Sequence, residues 1–324
     1  MAVASRQRGR EGHRVFRYIA KRILFAALTI LGVVTIVFIL QRTTGDPIAT
    51  LLPPDVPLEE QAKLRTALGL DQPIHVQYGK FLAGLVRGDL GYSYRQGAPA
   101  LGLVLERVPS TFKLASAGML VAMAIGMPAG VLAAVYRGTV GDRIVMSLAL
   151  VGQAMPVYWT GILLILVFSV RLRWLPAISN GGFVSMIMPA LAVGAYSAAR
   201  IARMTRSSML EVLRMDYVRT ARSKGLRNSA VITEHALRNA LIPIVTVLGM
   251  EFGSLMGGSV IVESVFAWPG VGRLAVNAIM GRDYPVVQAV VVVVSAIFVL
   301  INLGVDLTYG LLDPRISIAN TTRR

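Results

Sequence analysis

Cysteine is absent from the 324 residues, which excludes disulfides, thiolate metal sites and a cysteine nucleophile. Histidine occurs only at His13, His75 and His235, too dispersed for a metal or catalytic cluster. No G-x-x-x-x-G-K-[ST] loop opens a soluble α/β domain, so the chain has no phosphate cradle with which to hydrolyse ATP itself. H-E-x-x-H and the Ser nucleophile elbow are missing too, which ranks a membrane-embedded enzyme low. Charge is scarce at 15% of residues, against 55% hydrophobic and a mean hydropathy of +0.63. That balance is too apolar for a soluble domain of this size. Acid is the scarcer sign, 17 Asp and Glu against 33 Lys and Arg, for a net charge of +16.

A bilayer core takes about 20 apolar residues as helix. On that template six spans are expected, near Ile23 to Gln41, Phe112 to Tyr136, Ile144 to Val170, Ser185 to Ile201, Leu241 to Val262 and Val286 to Leu311. The third and sixth are long enough to tilt or to extend beyond the membrane. Ile23 to Leu40 follows a basic start like a signal peptide, but its eighteen uncharged residues exceed the usual apolar region and no small-residue cleavage site follows, so it is expected to be retained. Six spans put both termini on one side. The segments 1–22, 136–143, 202–240 and 312–324 hold 20 Lys and Arg, the opposite segments 11, and the richer set is assigned to the cytoplasm. The expected organisation is a basic cytosolic tail at 1–22, an all-α six-helix membrane domain at 23–311, and a cytosolic tail at 312–324. The membrane domain includes an outer loop at 42–111 and a cytosolic loop at 202–240. Anionic lipid headgroups account for much of this charge. No aromatic-interleaved basic groove points to nucleic acid.

The longest basic stretch flanked by membrane-length apolar runs is Met215 to Val245. Asp216 is a candidate N-cap, Tyr217 to Lys224 make about two turns, and Gly225 supplies the left-handed stop. Ser229 is a candidate cap for a second helix running through His235 and Leu237 past Pro243. Thr220 and Ala221 are small enough for a partner backbone to lie close, with Arg219, Arg222, Lys224 and Arg227 around them. The pattern suggests a docking element.

This segment resembles the coupling loop of binding-protein-dependent ABC importer permeases, whose motif reads E-A-A, three residues, Gly, nine residues, I-x-L-P. Gly225 anchors the alignment. Arg219, Thr220 and Ala221 fall on E-A-A, and His235, Leu237 and Arg238 on I, L and P, so the Glu, Ile and Pro are missing. RTARSKG followed by HALRNALIP is similar to the variant of the dipeptide, oligopeptide and nickel permease branch. GDP at Gly45 to Pro47, GLDQP at Gly69 to Pro73 and GDLGYS at Gly88 to Ser93 resemble the first outer region of that branch. FAWPGVGRL at Phe266 to Leu274 with RDYP at Arg282 to Pro285 resembles its scoop-shaped outer loop, and LLDPRI at Leu311 to Ile316 its chain end.

Between these phrases the residues are read on their own terms. The outer loop offers one amphipathic helix, with Asp55 as cap, Pro57 in the first turn and Gly69 as stop, and another over Val76 to Arg87. Asp46 and Asp89, flanked by Gly, are read as turn residues. Gly126 and Gly130 around Pro128 permit close helix approach and a local kink. Tyr158 and Trp159 read as core or interface filling. Arg171 and Arg173 run against the charge trend, while Arg200 and Arg203 are expected to snorkel from the cytosolic end of the fourth span. Gly249, Gly253 and Gly257 recur along one helix face, with Glu251 about 200° around the helix from Gly249. Either face is open as the lining of a path. An ionisable residue at membrane depth is costly and faces a bundle interior or water, so Glu251 reads equally as a path residue or as a structural partner between helices. Glu263 reads as a boundary residue, and Asn302 with Asp306 as an interhelical polar contact.

The resemblance implies a type I ABC importer permease fold in the bacterial inner membrane. It implies a subunit that is no enzyme and binds no cofactor, with ATP and Mg held by two cytoplasmic ATPase subunits. A homologous second permease subunit, giving a heterodimer, and an extracytoplasmic solute-binding protein complete the implied assembly. Asp216, Arg219, Thr220, Ala221, Arg222, Lys224, Gly225, His235 and Leu237 are then the coupling residues. Glu251, Gly249, Gly253 and Gly257 are the path candidates. Di- or oligopeptides are the expected cargo, with nickel chelates, glutathione or another small solute as alternatives. A secondary transporter or channel is the rival of a different class. It is expected to show inverted repeats around a midplane site, of which the sequence has no clear sign, and it leaves the basic docking segment unexplained.

Overall fold

The computed structural model describes residues 23–25, 27–39, 48, 56–67 and 69–312, with side chains over the same ranges except 64, 242, 258 and 306–312. Both expected tails, the GDP phrase with Asp46, the Asp55 cap, the Gln41 end of the first span and the side chain of Asp306 lie outside them. The described residues are overwhelmingly helical. The chain divides into two units, one of residues 1–109 with 270–299 and one of residues 110–269 with 300–324.

The first unit contains the apolar helix α1 (Ile23–Ile39), α2 (Leu58–Ala67), α3 (Ile74–Arg87), a two-stranded ribbon β1 (Tyr92–Ser93) and β2 (Ala98–Pro99), and α11 (Val271–Met280), besides the ends of two long helices, α4 (Ala100–Val135) and α12 (Tyr284–Leu312). Gly69 and Gly88 stop α2 and α3 in the left-handed region, at φ 64° and 78°, as a residue without Cβ does most cheaply. Helix α1 leans on α3 through polar and aromatic contacts. Thr35 Oγ1 and Tyr78 OH are 2.5 Å apart, and the Phe38 ring lies 5.2 Å from Tyr78 and 5.6 Å from Phe81. The apolar core gathers Leu90, Val104, Val271, Leu274, Val286 and Val290. Beside it Ser93 Oγ donates to Asp283 Oδ2 at 2.5 Å, both groups buried. A Cβ on Gly91 would meet Pro285 at 3.3 Å. The GDLGYS and RDYP phrases are therefore two halves of one contact.

The second unit holds the rest of α4, then α5 (Val140–Ala154), α6 (Val157–Leu164) with its π-helical continuation Ile165–Arg171, α7 (Phe183–Val212), α8 (Asp216–Ser223), α9 (Arg238–Gly258) and α10 (Val260–Val265). Thr139 caps α5 by accepting from the Asp142 N–H at 3.3 Å. Helices α4 and α7 cross at contact distance because small residues meet. A Cβ on Gly126 would sit 2.6 Å from the Ala198 carbonyl oxygen, and one on Gly130 would sit 2.4 Å from that of Ala202. Helix α4 runs unbroken through Pro128, so packing is what the G-x-x-x-G pair serves there, and no helix break accompanies it. Buried Glu263 accepts from Thr111 Oγ1 at 2.8 Å and Ser259 Oγ at 3.0 Å, inside the unit. Trp268 Nε1 donates to the Ser110 carbonyl at 2.9 Å.

Three described helices are long and apolar enough to cross a membrane singly: Ala100–Val135, Phe183–Val212 and Tyr284–Val305. Two bent helix pairs reach the same length and apolarity only when taken together, as a broken span or a re-entrant turn: Val140–Ala154 with Val157–Arg171 at 100°, and Asn228–Leu241 with Pro243–Gly257 at 54°. Ile23–Ile39 is among the shorter apolar helices. The third expected span thus bends sharply instead of tilting. Pro156 lacks an N–H to continue the α5 ladder, and its own carbonyl starts α6, accepting from Trp159 at 3.0 Å and Thr160 at 3.2 Å.

Candidate functional site

Helix α7 continues eleven residues beyond Ile201, to Val212, so the basic loop proper is a short hook between α7 and α9. Helix α8 begins at Asp216 itself, with Met215 in the cap position, one residue earlier than expected. It ends at Lys224 and Gly225, where φ is 76°. A Cβ on Gly225 would meet nothing within 4 Å, so the requirement for glycine is conformational. The hook is strongly two-sided. Val218 and Ala221 are buried with Val231 in a small apolar cluster, against Val212 and Leu213. Tyr217, Arg219, Thr220, Arg222 and Lys224 are exposed.

Ala221 therefore packs on its own chain, not outward beside Thr220. The reason is the helix period: Val218 and Ala221, three apart, share the inner face, while Thr220 turns 100° away. The outer face is polar and carries Thr220 and Lys224, while Tyr217 at its edge reaches back to Asn239. The Tyr217 phenol is pushed above its ordinary value, mainly by desolvation, against a hydrogen bond to Asn239 that lowers it. Asp216 and Arg219 approach to 3.5 Å, but both are almost fully exposed, and such pairs add little.

The expected helix after the hook is present with a different winding. Asn228–Ala230 is α-helical with Arg227, not Ser229, in the cap position. Val231–Leu237 is π-helical, and α9 follows. His235 and Leu237 lie on this wide turn and are half-buried, whereas Ala236 and Ala240 are buried with Met209 and Ile244.

Residues 249 to 257 of α9 divide as their spacing suggests. A Cβ on Gly249 would fall 2.2 Å from Val305 Cγ2, so Gly249 lets α12 approach there. Gly253 is buried and Gly257 exposed. Glu251 looks the other way, toward α7. It is 4% exposed, forms an ion pair with Arg200 Nη1 and accepts from Ser197 Oγ at 3.2 Å. Arg200 Nη2 donates to Tyr196 OH at 3.1 Å, and its Cζ stands 5.4 Å from the Tyr196 ring centroid. Arg200 is thus mid-helix and held by a carboxylate, where snorkelling from the end of a shorter span was expected. Only the length of α7 changes that assignment, and no signal in the sequence pairs residues 51 apart.

A second ion pair was not anticipated. Arg206 grips Asp142 through two bonds, Nε to Oδ1 at 2.7 Å and Nη2 to Oδ2 at 2.8 Å, and Asp142 Oδ2 also accepts the Gly138 N–H at 2.9 Å. It staples the turn before α5 to the α7 segment leading into the hook. Among the described residues no group of His, Cys, Asp and Glu is placed to hold a metal ion.

The family described as binding-protein-dependent transport system inner membrane component matches residues 126–318, and its N-terminal counterpart matches residues 15–115. The glutathione transport system permease protein GsiC of Salmonella paratyphi A is 42% identical over 303 residues, which is 93% of this chain and 99% of that one. The GsiC protein of Escherichia coli K12 is 41% identical over the same shares. A chain of the MetNI methionine ABC transporter, solved in inward-facing conformations, is similar in fold at a TM-score of 0.56 and 22% identity, covering 65% of this chain and 96% of that chain.

Proposed function

This chain belongs to the family of binding-protein-dependent transport system inner membrane components, and from that premise we propose that it carries small peptides, glutathione-like ones included, inward across the membrane. It is an ABC importer permease subunit of the inner membrane, and the ATPase of such a system is a separate subunit. The likeness to two GsiC permeases over 99% of their length supports glutathione or short peptides as cargo.

ATP and Mg sit on two cytoplasmic ATPase subunits, a homologous second permease completes the pore as a heterodimer, and an outer binding protein delivers the solute. In this reading six crossing segments leave both termini in the cytoplasm, with the hook at 213–227 on the ATPase side. The observation that carries the mechanism is the two-sidedness of α8: Val218 and Ala221 hold it to its own chain, and Thr220 and Lys224 face outward. A push on that outer face moves α8 together with the end of α7 through the Val212 and Leu213 contact. Arg219 and Arg222 orient the dock against acidic groups of the ATPase. Of the path candidates, Glu251 lines the route through its ion pair, and Gly249, Gly253 and Gly257 let neighbouring helices slide close.

The test is uptake of radiolabelled glutathione and dialanine by proteoliposomes holding the complete complex with its binding protein. Transport is expected only with enclosed ATP. Gly225→Pro forbids the φ of 76° and is expected to cut uptake at least tenfold while the complex still assembles and hydrolyses ATP. Nucleotide-independent uptake at full rate refutes the importer mechanism in favour of a secondary transporter, and normal coupling in Gly225→Pro refutes the hook.

A further inference from the structure

Helix α7 is covered on three sides. Ala202 and Thr205 lie against Gly130 of α4, Ala199 and Arg206 face Gly152 and Asp142 of α5, and Ser197 meets Glu251 of α9. At 100° per residue the remaining side carries Tyr196, Arg200, Arg203 and Ser207, spaced four, three and four apart and so within an arc of roughly 60°. All four retain accessible surface, Arg200 39% of its side chain.

That face is the wrong chemistry for lipid. The accessible faces of the neighbouring long helices are apolar: Leu120, Ile125 and Leu132 on α4, and Ile144, Leu148 and Val151 on α5. Two guanidinium groups in a helix that spans by length and composition do not point into hydrocarbon. Arg200 spends one N–H on Glu251 and one on Tyr196, two of the five a guanidinium owns. Arg203 Nε is buried and meets no acceptor within the described chain. The stripe is therefore positively charged, oriented by fixed partners, and supplied with more donors than this chain satisfies.

We infer that this stripe is a carboxylate track in the permeation path: Arg200, with Glu251 as its fixed counter-ion, receives the carboxylate of a passing solute, and Arg203, about one turn nearer the hook, receives it next. Guanidinium suits the task because its planar fork matches a carboxylate in two parallel bonds. Glu251 suits it for the opposite reason. By neutralising half the site it keeps the solute from being held too tightly to leave, which any conducting path requires. The inference rests on the peptide-import reading and adds to it the group by which this chain handles its cargo.

The experiment uses the complete complex in proteoliposomes with saturating loaded binding protein, and the probes are glutathione and dialanine. Arg203→Gln, and the paired change Arg200→Met with Glu251→Leu, are expected to assemble normally and to keep stimulated ATP hydrolysis within about twofold. Uptake is expected to fall about tenfold or more, the scale of one lost charge-assisted hydrogen bond. Arg200→Lys is expected to fall between. Wild-type uptake rates in the paired variant show that the ion pair only packs helices and overturn the track. Parallel loss of assembly, hydrolysis and uptake in both variants overturns it as well. A wild-type complex that moves neither probe refutes the peptide reading itself, and the track with it.

Discussion

Gly130 offers the sharpest test of how α4 and α7 are held. In Gly130→Ala the new Cβ falls 2.4 Å from the Ala202 carbonyl oxygen, 2.6 Å from Thr205 Cβ and 3.0 Å from Thr205 Cγ2. The first neighbour is backbone and the second a branch point, so neither yields by changing rotamer. Ordinary contact requires the helices to part by about 1 Å, and a gap of that size forfeits between a quarter and half of each dispersion contact along the crossing. The same crossing includes Gly126 against Ala198 and Gly118 against Val193, so the loss is shared by three turns. Overpacking of this kind costs about 1–3 kcal/mol, or roughly 1.5–4.5 °C in apparent melting midpoint for a chain this large. The assay is thermal melting of the detergent-solubilised full chain followed by size-exclusion chromatography. Gly79→Ala is the control. Gly79 lies inside α3 with nothing within 4 Å of its built Cβ, so the identical change there is expected to stabilise by about 0.5–1 kcal/mol through chain entropy and helix propensity. If Gly130→Ala melts at or above wild type, steric contact is not what sets this crossing.

Three further outcomes follow from geometry already described. Thr220→Trp, on the outer face of α8, is expected to block ATP-driven uptake without lowering thermal stability. Ala221→Trp is expected to lower both, because it must displace Val231; equal stabilities would show that α8 has no buried face. Asp142→Ala removes two bonds to Arg206 and one to Gly138, and is expected to cost about 2–3 kcal/mol in melting of the full chain. Arg206→Met in the same chain is expected to recover part of that loss, and strict additivity of the two changes refutes the pairing. Ser93→Ala leaves Asp283 without its buried donor, with an expected cost of about 1–2 kcal/mol; unchanged melting rules the contact out as a clasp.

What the sequence carried was local and periodic. Glycine marked the ends of α2, α3 and α8 because positive φ is a property of one residue, and membrane-length apolar runs marked the spans because their cause is composition. The hook at 213–227 was legible for the same reason, as a short polar helix between two apolar ones. Three things needed the third dimension. Asp142 and Arg206 are 64 residues apart and neither is unusual where it stands. Ala221 and Thr220 are adjacent and both small, and only the inner cluster with Val231 separates their roles. The length of α7 decided the fate of Arg200: with eleven more residues before the hook, a side chain expected at the interface is committed to Glu251.

The bend between α5 and α6 has a geometric consequence. Each arm is fifteen residues, Val140–Ala154 and Val157–Arg171, or about 22 Å at the α-helical rise. Folded through 100°, the two arms join points only about 29 Å apart, close to the roughly 30 Å of a hydrocarbon core. The corner, with Tyr158 and Trp159 beside it and exposed, is displaced roughly 17 Å sideways from the line between those points at the same rise. This stretch is a knee and not a pillar, and its corner holds two exposed aromatic rings well to one side of the line its ends define.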